Sequence, residues 1–171
     1  LELSIGEVET GLLSTDFRIK DLVVLNPPGF GSEPLAKVPL IYVDYELGSL
    51  ISGKLHCTSI EVEVAEVSVV QDAAGDTNLM KVKALTEGKE GDRKQEAKGE
   101  SKPVEMRIDK LTLTIGRVRY LRLDRKGGID SEKNLKIGLD HEVFEDLTSP
   151  NQIVKLILWR AVKSAGLNNL G

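Results

Sequence analysis

The stretch SPNQIVKLILWRAVKSA, residues 149–165, decides the fold. Ser149 suits an N-cap, Pro150 the first helical position, and Gln152 completes a capping box. Gly166 follows as a left-handed stop. At about 100° per residue, Ile153, Val154, Ile157, Leu158, Ala161, Val162 and Ala165 cover roughly half the circumference. So wide an apolar face needs a surface to lie on, and nearly everything before it reads as strand. The expected class is α+β: a strongly curved, mostly antiparallel β-sheet of long bulged strands with one C-terminal helix packed on it.

Outward from the helix, Leu135, Ile137 and Leu139 alternate in the strand before it, and Lys126-Gly127-Gly128 turns the chain. Val104, Met106 and Ile108 alternate, as do Leu111, Leu113 and Ile115, then Val118 and Tyr120, then Leu121 and Leu123. The long run from Lys54 to Val70 behaves alike, with Leu55 and Cys57, then Ile60, Val62 and Val64, then Val67 and Val69. Each change of phase would throw side chains to the other face unless a β-bulge absorbs one residue. Slips near Ala65, Asp109 and Tyr120 are therefore expected as bulges, and bulges aligned on neighbouring strands bend a sheet.

Ile41, Val43, Tyr45 and Leu47 form an earlier strand that ends at a turn over Gly48 to Gly53. Before it come Leu1, Leu3 and Ile5, a break at Thr10-Gly11, then Phe17, Ile19 and Leu22 to Leu25. Asn26-Pro27-Pro28-Gly29-Phe30-Gly31 is a loop, since consecutive prolines remove two N–H donors. Asp72 to Asp76 reads as a turn before the short Asn78-Leu79-Met80 run. From 86 to 103 the apolar signal vanishes. Five acids and five bases cancel there, which predicts a mobile charged loop.

The 171 residues are read as one domain, residues 1–171. A net charge of −4 and 4% aromatics exclude a dedicated nucleic-acid binder and base-stacking platforms. Cys57 is the single cysteine, so no intramolecular disulfide forms, and its alternation with Leu55 predicts a buried, inert thiol. Chemistry is sparse. His56 falls on the polar side of its strand, and no nucleophile elbow, Walker loop or dinucleotide fingerprint occurs. Asp140-His141-Glu142 with Glu145-Asp146 is the densest carboxylate cluster, but its spacing matches no metal motif. Neither a metal site, a cofactor nor a catalytic residue is assigned. The second face of the helix carries Lys155, Trp159, Arg160 and Lys163, the candidates for membrane contact.

The order of elements through residue 80 carries a resemblance. A strand ending Leu22-Val23-Val24 leads into Asn26-Pro27-Pro28-Gly29-Phe30, then the strand Ile41 to Leu47. Ser49-Leu50-Ile51-Ser52-Gly53-Lys54-Leu55, the strand Ile60 to Val70 and Asp72-Ala73-Ala74-Gly75-Asp76-Thr77-Asn78-Leu79 follow. This resembles the N-terminal module of the AsmA-like envelope proteins, relatives of the TamB group. The resemblance implies a curved sheet with an apolar concave face, a non-enzymatic role in envelope lipid homeostasis and residence in the bacterial periplasm. It implies no catalytic residues.

Lipid or acyl chains are the expected ligand, a phospholipid membrane surface or an envelope protein the expected partner. Ile41, Val43, Tyr45, Val62, Val64, Leu111, Leu113 and Ile115 are the groove candidates. The alternative is a ligand-free structural or protein-interaction module whose concave face is plugged by the C-terminal helix. Because Leu1 already lies inside a strand pattern, a tethering segment upstream of it is expected.

Overall fold

The alternating segments become seven strands of one mixed, curved sheet in the computed structural model, which describes residues 2–11, 14–83 and 105–164. The strands are β1 (Leu3–Ser4), β2 (Glu7–Thr10), β3 (Asp16–Leu25), β4 (Pro34–Tyr45), β5 (Lys54–Gln71), β6 (Glu105–Leu123) and β7 (Ile129–Leu147). A helical turn, α1 (Leu47–Ile51), joins β4 to β5. Residues 78–83 form α2 and Pro150–Ser164 form α3. The charged stretch 86–103 lies outside the described residues.

Both β1 and β2 pair with the outer side of β3, and the sheet continues β4, β5, β6, β7 without closing into a barrel. Every pair is antiparallel except β5 with β6, which run parallel from Lys54↔Glu105 to Gln71↔Arg122. The 18 residues of β5 span about 60 Å. A hairpin cannot join two parallel neighbours, so β5 and β6 are joined by a crossover. This crossover begins with the Asp72 turn, where Asp72 Oδ1 accepts the N–H groups of Ala74 and Asp76, each at 2.9 Å. The Asn78-Leu79-Met80 run is helical, within a helix described over residues 78–83.

Two transverse lines of irregularity bend the sheet. The first crosses at Asp21 (φ 52°), Ala65 and Gly116, and ends on β7, whose register shifts between Leu139 and Lys136. The second passes through the Asp44/Tyr45 shift, Thr58, Asp109 and Asp146 (φ 55°). The expected irregularities near Ala65 and Asp109 thus lie on adjacent strands but on different lines, Ala65 beside Gly116 and Asp109 beside Thr58. The one expected near Tyr120 does not exist. Pairing runs unbroken from Val118↔Leu135 to Arg122↔Ser131. The apolar phase changes there because Leu121 and Leu123 serve a second small core on the other face, with Val70 and Phe30 of the proline loop.

The carboxylate-rich segment is also strand: β7 runs on through Asp140 and Asp146, past the alternation that ends at Leu139. α3 starts at Pro150, and Gln152 Oε1 accepts the N–H groups of Thr148 and Ser149 at 2.7 and 3.1 Å, the reciprocal half of a capping box. Its buried arc differs from the sequence pattern by gaining Leu156 and losing Val154. Ala161 is fully buried, and Ile153, Leu156, Ile157, Leu158 and Val162 pack against the core, but Val154 faces solvent. Ala165 and Gly166 lie outside the described residues.

Candidate functional site

Strand register arranges the inner face into apolar rows five or six strands wide. One runs Val8–Ile19–Ile41–Val62–Leu113 and ends at Glu142 on β7. A second runs Phe17–Val43–Ile60–Leu111–Phe144, and a third Leu3–Val24–Ala36–Val67–Val118–Leu135. Exposure grades along them. In the first row Leu113 and Val62 are 0% and 5% exposed, Ile41 and Ile19 are half-buried, and Val8 is 57% exposed. Leu3 is likewise 57% exposed. Among the described residues α3 lies over β5, β6 and β7; Leu35, Val38 and Val43 of β4 are still buried, and the face is barest beyond them, toward β1 and β2. Leu79 and Val82 of α2 add to the same core.

The eight groove candidates all share this face, and they divide. Val43, Val62, Val64, Leu111, Leu113 and Ile115 are buried within the core cluster, whereas Ile41 and Tyr45 are partly exposed on its bare side. Phe17, Ile19 and Val24 belong to the same uncovered strip, and the exposed Leu3 and Val8 extend it to the sheet edge. Sequence reasoning placed these residues in strands but not in the site. The period of two shows which face a residue takes and nothing about what covers it.

Of the membrane-contact candidates, Lys155, Trp159 and Lys163 are exposed on the outward side of α3. Arg160 is half-buried and its guanidinium pairs with Glu142. The Arg160 guanidinium carbon and Lys163 Nζ lie 4.9 and 5.0 Å from the centre of the Trp159 ring, within cation–π range.

Polar clusters occupy the opposite face. Glu66, 3% exposed at its side chain, accepts from Arg117 Nε at 2.6 Å, lies 3.3 Å from Lys37 Nζ and receives Arg119 at 3.4 Å. Burial alone would push its carboxyl up; hydrogen bonds from Arg117 and Lys37 outweigh it and hold the group below the usual carboxylate range. Arg119 is shared with Glu33 and Glu132, so cations and carboxylates balance. A shallow open depression lies beside this cluster at Ala65 and Gly116.

At the α1 end of the sheet, His56 Nδ1 lies 2.8 Å from Glu46 Oε2 and Nε2 lies 2.7 Å from Asp109 Oδ2. Arg107 Nε donates to the other oxygen of Asp109 at 2.6 Å. The hydrogen bond to Asp109 first, then that to Glu46, raises the imidazole above its ordinary value near 6.5. Ionised carboxylates only accept, so both ring nitrogens must carry protons to satisfy them. The clamp escapes sequence reading because Glu46, His56 and Asp109 meet only across three strands.

Strand alternation separates the acidic cluster of β7. Glu142 shares the inner face with Leu113, while Glu145 sits opposite Lys110, and Asp140 and His141 are exposed at a third bulge where His141 takes φ 52°. Among the described residues, no three His, Cys, Asp or Glu side chains converge to hold a metal ion. Cys57 is 1% exposed and burial pushes its thiol up, leaving it a small core residue. Compared with known families, curated proteins and solved structures, the chain matches none.

Proposed function

We propose that the chain is a non-enzymatic, AsmA-like module of the bacterial cell envelope that rests lipid acyl chains on the uncovered strip of its inner face. The observation that carries this reading is the first row, which stays apolar from Leu113 out to Val8 while exposure rises from 0% to 57%. An apolar strip of this kind gains by burying methylenes, at roughly 0.8 kcal/mol for each CH₂ removed from water. Lipid extraction and mass spectrometry of gently purified protein test it. Phospholipid or fatty acid should exceed the level found with a control protein, and Ile19→Asp with Ile41→Asp should remove it. Background levels in the unaltered protein would end the acyl-chain reading.

A second reading rests on a different observation. Leu111, Leu113, Ile115 and Val64 are at most 2% exposed, so the central face is filled by the chain's own side chains. In that case α3 plugs the face, and the module serves a protein partner without a ligand. The same extraction separates the two.

A further inference from the structure

We propose that the outward side of α3, centred on Trp159, is a docking surface for an anionic lipid bilayer. This contact is separate from acyl-chain binding on the sheet and does not require it.

The inward side of α3 is already satisfied by Ala161, Ile157 and Leu158 against the sheet. On the other side, Trp159 remains 52% exposed, flanked by the exposed Lys155 and Lys163. Neither lysine forms an ion pair with a described residue. The protein carries a net charge of −4, yet no acid occurs from Pro150 to Ser164, so cations are concentrated on one exposed strip of an acidic chain. Glu142 of β7 is neutralised by Arg160. What remains facing outward is a tryptophan between two uncompensated ammonium groups.

That combination matches the boundary of an anionic membrane. The indole prefers the headgroup level, with its ring among acyl carbons and its N–H toward water. Lysines beside it meet lipid phosphates, each strengthening binding about fivefold near an anionic surface. α3 would then lie along the bilayer surface with the sheet above it. Charge complementarity favours a bilayer over a second copy of this chain, which would set lysines against lysines.

Trp159 is the single tryptophan, so its fluorescence reports on this surface alone. Vesicles of phosphatidylglycerol with phosphatidylcholine should shift its emission to the blue and co-sediment the protein, while pure phosphatidylcholine should do neither. Added salt should weaken the binding. Lys155→Glu with Lys163→Glu should lower the affinity more than thirtyfold at an unchanged urea midpoint, and Lys155→Arg with Lys163→Arg should retain it. Ile19→Asp with Ile41→Asp should bind vesicles normally, which keeps this test apart from that of the acyl strip. Equal binding to neutral vesicles, no co-sedimentation, or charge-reversed variants that still bind would overturn the proposal. So would a blue shift on raising the protein concentration without lipid, which would assign the surface to self-association.

Discussion

The side-chain amide of Asn78 donates to Asn26 Oδ1 at 2.6 Å, joining two turns that lie 52 residues apart in the chain. Asn78 also donates to the Ser68 carbonyl at 2.7 Å and accepts the Val70 N–H at 2.9 Å. β4 pairs with β5 only as far as Val67, so the Asn78 amide stands in for the missing neighbour strand. Asn26 in turn donates to the Glu33 carbonyl at 2.8 Å, which closes the proline loop. A single fully buried side chain thus fixes the start of the crossover to the loop that covers the second core.

Replacing Asn78 with Ala would leave a buried N–H and a buried carbonyl without partners. The expected loss is about 3 kcal/mol, at roughly 1–3 kcal/mol for each unsatisfied group. Urea denaturation should show it as a lower midpoint at constant slope. Asn78→Asp should be worse, because its second oxygen would face Asn26 Oδ1 and the Ser68 carbonyl.

Gly116 sits in the first bulge line with the Ala65 carbonyl pressed against it. A Cβ there would lie 2.7 Å from that backbone oxygen. Gly116→Ala should therefore destabilise by about 1–3 kcal/mol, as overpacking against backbone does. Gly48→Ala, in open space on α1, should shift the midpoint little. Equal effects would show that the bulge is not tightly packed.

The His56 clamp makes stability depend on pH. The folded value of His56 lies above its unfolded one, so its contribution is complete below about pH 6.5 and is lost as pH rises through the folded value. Glu46 and Asp109 are held low, chiefly by their hydrogen bonds to His56. Their contribution is present above about pH 4 and is lost as pH falls through their folded values. The clamp is therefore strongest between those limits. Urea midpoints of the protein and of His56→Gln should differ most near pH 5–6 and converge toward pH 9.

Two residues of one row should respond differently. Leu113→Ala removes a side chain with no exposure and should cost about 3–4 kcal/mol, in the range for buried leucines. Ile41→Ala, half-buried on the bare side, should cost under half as much. Denaturation of the two variants in detergent-free buffer checks this. An equal cost would mean that the strip is covered in solution.

Much of the sheet was legible because alternation is local. The phases of Ile60–Val64 and Leu111–Ile115 identify one buried face whatever their partners, and the slips at Ala65 and Asp109 mark extra residues before any pairing is known. The slip at Tyr120 misled, since a second core and a bulge produce the same change of phase. β7 extended further than its apolar residues implied, because edge-strand pairing is carried by backbone groups that Asp140 and Glu145 supply as well as any residue. The helical turn α1 is too short for a period to show.

Sequence alone determined the α+β class, a C-terminal helix beginning at Pro150, the identity of the inner face and an inert Cys57. Each follows from short-range rules of periodicity, capping and burial. Only the tertiary structure decided that β5 and β6 run parallel, that α3 seats over β5, β6 and β7, and that Glu46, His56 and Asp109 meet. Those features depend on which strands become neighbours, and neighbours are chosen by the packing of the whole chain, not by any local pattern.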